Sequence, residues 1–197
     1  VSRDWSSDVC SSDLEDGWTF CFIPEGVALH KATIEALHQQ KEIPFVTPVT
    51  HELYIDGATC GDVSAWTVVA VAVTEHGRVF QGCIGGLTDI DKASPSWIGA
   101  EYHTNIDAEL SAMAVATAFA FFGLVDRKFI IRPDLALSER FLQLENTSRS
   151  ESTLARLVHM FGQSKPSNVV VHEVRAHQGD PWNELADAIA KLIAKDR

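Results

Sequence analysis

Four carboxylates stand where metal chemistry would need them. Asp56 closes the apolar stretch Leu53-Tyr54-Ile55, and Glu109 falls in the first turn of an Ala-rich helix opening Asn105-Ile106-Asp107-Ala108. Asp134 follows the strand-like run Phe129-Ile130-Ile131-Arg132, and Asp187 ends the segment Asp180-Pro181-Trp182-Asn183-Glu184-Leu185-Ala186. Carboxylate oxygen is the donor that hard divalent cations prefer. Acids at the ends of separate elements can meet in space. Two cations held about 4 Å apart clamp both the attacking and the leaving oxygen of a phosphodiester. The pattern predicts a metal-dependent nuclease. Each acid also has a structural reading: Asp56 as a turn residue, Glu109 as charge complementing a helix dipole, Asp134 after Pro133 as a helix start. Asp187 stands four residues before Lys191, the spacing of a surface ion pair.

The elements that must position these acids follow from hydrophobic patterning. Leu53 and Ile55 mark a first strand, and the Val-rich run Ala65 to Thr74 a second, buried on both faces. Glu75-His76-Gly77 reads as a turn, and Arg78 to Ile84 as the third strand of a meander. A loop from Thr88 to His103 leads to a helix from about Ile106 to Phe122, stopped by Gly123. Arg127 to Arg132 makes a fourth strand, helical segments lie near 135–144 and 152–161, and Val169 to Val174 makes a fifth strand. Pro181 to Lys195 is the final helix, with Asp180 as N-cap and Pro181 at the first helical position. There Asn183 and Asp187 share one face. Three antiparallel strands followed by alternating helix and strand predict a mixed five-stranded α/β sheet flanked by helices.

Length and composition set the frame. The chain has 197 residues, 46% hydrophobic and 22% charged, which suits one domain with an appendage. Residues 1–14 are Ser/Asp-rich and repeat Ser-Ser-Asp; they resemble translated sequencing-adapter strings and are read as a non-native leader. Residues 15–50 hold one helix, about Val27 to Gln40, flanked by Pro24, Pro44 and Pro48, and are read as an N-terminal extension or linker. Residues 51–197, which carry all four acids, are read as the candidate catalytic domain. No apolar run approaches the roughly 20 residues of a membrane span, and the expected location is intracellular, with no membrane partner. Cys10, Cys21, Cys60 and Cys83 form no Cys-x-x-Cys pair, which favours reduced thiols over a disulfide framework or zinc site. The net charge of −11 opposes phosphate binding, so substrate binding is expected to be weak or assisted by a partner.

From about Leu53 to Ala194 the chain resembles type I ribonuclease H. The family opens with a strand ending in Asp-Gly-Ser or a variant, here Asp56-Gly57-Ala58. Its second acid follows Thr-Asn, as Glu109 follows Thr104-Asn105, and its third ends the fourth strand, as Asp134 does. Its closing signature is the most specific piece: His177, Gly179, Pro181, Asn183 and Asp187 keep its order and spacing. The chain departs from the pattern with Ile106 where some members have a second Asn, and with Leu135 where Ser is usual. It also has no Lys/Trp-rich block between Asp134 and His177, and members lacking that block are often fused to a reverse transcriptase or a binding module.

The resemblance implies hydrolysis of the RNA strand of RNA–DNA hybrids, leaving 5′-phosphate and 3′-hydroxyl ends. Asp56, Glu109, Asp134 and Asp187 would ligate two Mg²⁺ ions, for which Mn²⁺ substitutes, and His177 would move a proton or assist product release. Gly57 and Asn105 would meet the minor groove, where the 2′-hydroxyl separates RNA from DNA. Thr104 and Asn183 are candidates for phosphate or supporting contacts. Trp97 and Tyr102, in the long 88–103 loop, are candidate base stackers. A retroelement polyprotein with a fused or associated reverse transcriptase is the implied setting. Two alternatives stay open: a nuclease or integrase of the same fold acting on DNA, and a degenerate connection domain of a larger polymerase.

Overall fold

Valine-rich alternation without a polar break drives the meander at the centre of the molecule. In the computed structural model, residues 23–44, 47–48, 50–122, 127–134, 152–164, 168–175 and 178–196 are described. Helix α1 (Lys31–Gln39) and a 3-10 turn (Gln40–Glu42) lead into strands β1 (Thr50–Cys60), β2 (Val63–Thr74) and β3 (Gly77–Leu87). Helix α2 (Asn105–Phe122), β4 (Lys128–Pro133), α3 (Thr153–Ser164), β5 (Val169–Val171) and α4 (Pro181–Lys195) follow. The sheet order is β3-β2-β1-β4-β5, with β1 to β3 antiparallel and β4 and β5 parallel to β1. This is the mixed five-stranded sheet, flanked by helices, that the patterning predicts.

Strand β1 is central because both of its faces have something to bury. Leu53 and Ile55 join Val68, Phe129 and Ile131 under α2 and α3, where Leu110, Met113, Leu154 and Val158 fill the layer. Tyr54 points the other way, with Val69 and Val71, against Trp182, Leu185 and Ile189 of α4. Alanines at 108, 112, 114, 116 and 120 keep α2 thin where it lies on the sheet, and all five are buried. Among the described residues α2 alone has the length and apolarity of a membrane span, with 61% of its 18 residues buried inside the fold. That places it as the core helix of the sheet layer.

Several boundaries differ from the patterning, three of them for a local reason. Asp56 does not close β1: the strand runs on to Cys60, pairing Gly57 with Trp66 and Cys60 with Val63 across a turn at Gly61, whose φ is +62°. Asp56 therefore sits in mid-strand. Helix α1 starts at Lys31 rather than Val27, because His30 caps it through Nδ1 and the extended chain before it packs Val27 and Leu29 against the Trp182 cluster. β5 is only three residues long, although the His172 and Val174 amides still donate to the carbonyls of Ile131 and Pro133. The predicted helical segment near 135–144 lies outside the described residues. So do Cys10 and Cys21, while Cys60 is exposed and Cys83 buried.

The 23–44 stretch packs on the rest of the chain through specific contacts. Thr33, fully buried, donates its hydroxyl to the Pro181 carbonyl at 2.7 Å, Leu37 adds to the α4 layer, and Gln40 Oε1 accepts the Phe80 amide at 2.7 Å.

On the same face as Tyr54, β1 buries Glu52, 2% exposed, between two guanidiniums. Arg78 Nε donates to its Oε2 at 2.7 Å, Arg132 Nε to its Oε1 at 3.1 Å, and the Tyr54 hydroxyl to Oε2 at 3.1 Å. Burial pushes the Glu52 carboxyl up, but the two arginines outweigh it and hold it below its ordinary value. Breaking a buried pair leaves an uncompensated charge and costs about 3 kcal/mol or more. Glu52→Ala is expected to destabilise the protein by about that amount in urea unfolding, because Arg132 keeps only 16% exposure. Arg78→Ala is expected to cost less, since Arg78 is 47% exposed and Glu52 keeps Arg132. Equal losses would mean that the ion triad does not anchor β4 to β1.

Candidate metal centre

Gly57 and Ala108 decide how closely α2 approaches β1. A Cβ placed on Gly57 would lie 2.6 Å from the Glu109 amide nitrogen and 2.7 Å from the Ala108 Cβ, so any larger residue pushes the helix off the strand. The absence of that Cβ lets the Glu109 side chain reach back over β1. The Gly57 amide then faces both acids, 2.8 Å from Asp56 Oδ1 and 2.9 Å from Glu109 Oε1. One backbone donor thus serves one oxygen of each carboxylate.

The remaining oxygens of the pair have no such partner. Asp56 Oδ2 and Glu109 Oε2 are buried without a hydrogen bond, in residues 4% and 5% exposed. Asp134, just beyond the end of β4, completes a group in which Asp56, Glu109 and Asp134 each offer an oxygen within 4.8 Å of the others. Buried acceptors without donors are costly unless a cation or proton occupies the space between them. A hard divalent cation fits this donor set: every donor is a carboxylate oxygen, and two of the three residues carry an orphaned one.

The electrostatics agree with that fit. Burial, then the Glu109 charge, then Asp134 and Asp187, push the Asp56 carboxyl well above its ordinary value. Burial chiefly raises Glu109 as well, to about 8, with Asp134 and Asp187 adding to the rise and the neighbouring Asp56 carboxyl, then the Gly57 amide, opposing it. Without a counterion the two acids cannot both ionise cheaply.

Asp187 stands near this group but outside it. Its Oδ2 accepts from Lys191 Nζ at 2.7 Å, the i+4 pair that the spacing allowed, and its charge still acts on Asp56 and Glu109. Asn183, one turn before it on α4, is 1% exposed with its Oδ1 unpartnered. That burial removes it from direct phosphate contact and leaves it a supporting role. The Thr104 hydroxyl is engaged at the start of α2, donating to Asp107 Oδ2 at 3.0 Å and accepting the Asp107 amide at 3.1 Å. Asn105 is exposed, its Oδ1 accepting from Thr59 at 2.8 Å. His177 lies outside the described residues. In the 88–103 loop, Trp97 donates its indole N–H to the Ala100 carbonyl at 2.7 Å, which fixes the ring to the loop's own backbone; Tyr102 is 58% exposed. Sequence reasoning missed the packing function of Gly57 and the buried Thr67 hydroxyl directly across from Asp56 on β2, which has no partner. Strand alternation with cross-strand pairing would have found the second.

No protein-family model matches this chain, and no curated protein matches it. Solved structures do. RNase H1 from the halophilic archaeon Halobacterium salinarum superposes with a TM-score of 0.50 at 22% identity, covering 75% of this chain and 99% of that one. LC11-RNase H1, isolated from compost by a metagenomic approach, gives 0.50 at 20% identity over 73% of this chain and 97% of its own. The fold is that of ribonuclease H. The prototype foamy virus protease-reverse transcriptase shares it, with a TM-score of 0.55 at 15% identity over 77% of this chain and 22% of that one. In this ribonuclease H fold the three converging acids sit on mid-β1, on α2 and just past β4.

A carboxyl raised in the native state holds its proton more tightly there than in the unfolded chain, so it favours folding at low pH. That contribution fades as pH rises from the ordinary glutamate value of 4.5 through about 8. In chelator, the melting temperature is expected to fall across this window, and Glu109→Gln to flatten the slope. Added Mg²⁺ is expected to raise the melting temperature more at the alkaline end than at the acid end. A Mg²⁺ shift that is equal at both ends would rule out ligation by these carboxyls. Gly57→Ala is expected to cost about 1–3 kcal/mol of stability through overpacking, and to weaken the Mg²⁺ shift by displacing Glu109.

Proposed function

We propose that this protein is a type I ribonuclease H, an endonuclease that hydrolyses the RNA strand of RNA–DNA hybrids and leaves 5′-phosphate and 3′-hydroxyl ends. The observation that carries this reading is the meeting of the Asp56, Glu109 and Asp134 oxygens, two of the residues buried, in a ribonuclease H fold. These three would hold the divalent cation, with Asp187 completing a second position once it exchanges its Lys191 partner. Mg²⁺ is the expected ion and Mn²⁺ a substitute. When bound, such a cation pair lowers the pKa of an attacking water and stabilises the departing oxygen.

The residues of the chain do the rest. The Gly57 amide fixes one oxygen each of Asp56 and Glu109 and leaves the other oxygen of each without a hydrogen bond. Asn105, exposed beside Thr59 at the end of the β1–β2 hairpin, is placed to meet a ribose hydroxyl or a base edge. His177, on the chain leading into α4, is assigned the transfer of a proton to or from the cleaved strand. Exposed Tyr102 offers a ring on which a base can stack.

A retroelement polyprotein is the proposed setting. The shared fold of a foamy virus protease-reverse transcriptase supports it, as does the net charge of −11, which leaves the grip on nucleic acid to an attached or associated polymerase.

Incubation with labelled RNA–DNA hybrid, double-stranded RNA and duplex DNA of one sequence tests the reading. Mg²⁺-dependent cleavage confined to the RNA of the hybrid is the expected outcome; cleavage of duplex DNA would replace it with a DNA nuclease. Asp56→Asn, which removes a ligand charge and almost no volume, is expected to lower turnover at least a thousandfold while the fold persists by circular dichroism. Wild-type turnover in that variant would refute the ligand assignment.

A further inference from the structure

Helix α4 comes close to β1 because the residues between them are small. Ala190 and Ala194 pack with Ala58 and Ala65 in one cluster, and Ala186 is fully buried. Asp187 and Lys191 stand one place further round the helix than Ala186 and Ala190. From there both reach the acidic group electrostatically: Asp56 and Glu109 feel the Asp187 charge, and Lys191 feels that of Asp56. Helical side chains lean toward the N-terminus, so Lys191 lies back over Asp187. An acid four residues before a lysine is the favourable order for such a pair. Lys191 Nζ and Asp187 Oδ2 stand 2.7 Å apart. The group that converges among the described residues holds Asp56, Glu109 and Asp134 but not Asp187. The fourth acid is already held by a charge of the sign that a metal would bring.

We infer that Lys191 is a positioning residue, a resident cation that holds Asp187 in the metal-free protein and makes the two divalent positions unequal. This rests on the metal reading given above and adds an order of filling to it. The position among Asp56, Glu109 and Asp134 fills with Lys191 in place. Filling the second requires Asp187 Oδ2 to leave the ammonium, which stays nearby with a charge that repels the ion. Exposure suits Lys191 to this role. At 52% exposed, its four-carbon stem can swing into water without leaving a buried charge unpaired. Asp187, 18% exposed, is dry enough for the contact to matter. An ordinary surface pair would support α4 and leave metal binding alone; the Lys191 pair does the reverse.

Electron paramagnetic resonance of free Mn²⁺, titrated into the whole chain without nucleic acid, counts bound ions and needs no turnover. Wild-type protein is expected to fill one position first and the second at least about fivefold more weakly. Lys191→Met keeps side-chain length and helix propensity but removes the charge. It is expected to tighten the second position about fivefold and the first by less than about twofold. Its melting point in chelator is expected to move by no more than about 3 °C. Lys191→Arg, which keeps the charge, is expected to match wild type. In Asp187→Asn protein, adding Lys191→Met is expected to leave Mn²⁺ binding unchanged. An unchanged second position in Lys191→Met, equal tightening of both positions, a Lys191→Arg protein that follows Lys191→Met, or the same tightening in Asp187→Asn protein would each overturn the inference while leaving the acidic group a metal site. No bound Mn²⁺ at all would overturn it together with the metal reading.

Discussion

Like charges forced together out of water govern this molecule. Asp56 and Glu109 are each 5% exposed or less, and Asp134 brings a third oxygen within 4.8 Å of theirs. Such a group costs free energy in a bare protein, where protons must hold it together, and repays that cost when a cation enters. Packing alone would not favour burying this arrangement, since neutral side chains of similar volume would fill the space at less expense. The rest of the fold therefore has to be strong enough to impose it.

That strength comes from the layers around β1. Leu53 and Ile55 face one core and Tyr54 the other, so the strand is fixed from both sides and Asp56 inherits its direction from alternation. Glu52, two positions before Tyr54, is clamped by Arg78 and Arg132, which ties β1 to both of the strands that bear those arginines. On the other flank the alanines of α2 and the missing Cβ of Gly57 bring the helix down onto the strand. The same closeness that makes Glu109 reach the site makes that position intolerant of growth. Rigidity at the scaffold thus substitutes for flexibility at the acids.

Much of this was legible in the chain. The Val-rich run from 65 to 74 could hardly be anything but a buried strand, and Asp180-Pro181 marks the start of α4 to the residue. The convergence of Asp56, Glu109 and Asp134 follows from their places next to or on separate predicted elements, whereas Asp187 stays outside the group. What escaped was longer-range. The Asp56-Gly57 pair reads as a strand end, since glycine usually breaks a ladder; here the pairing with Trp66 carries β1 four residues farther. Beyond the substrate contact that the resemblance implies for Gly57, the structure gives it two jobs, clearing space for α2 and lending its amide to both acids. Neither is visible without knowing that α2 lies over that strand. Likewise Asp187 matches the family pattern and the surface-pair pattern equally well, and its contact with Lys191 depends on a rotamer that no sequence spacing specifies.

The Asp187–Lys191 pair bears on how the acidic group is balanced. Lys191 is about half exposed and Asp187 18% exposed, so the pair is partly wet and cheap to separate. Its value lies in sign rather than strength. By holding one carboxylate away from three others, the ammonium lowers the negative charge that Asp56 and Glu109 feel, and those two acids still register the Asp187 charge as a minor contribution. If a cation entering the group were also to take Asp187, it would have to displace Lys191 from the same oxygen, a small cost because water already reaches the pair. The acid on α4 is thereby kept within reach of the group without adding its full repulsion to it.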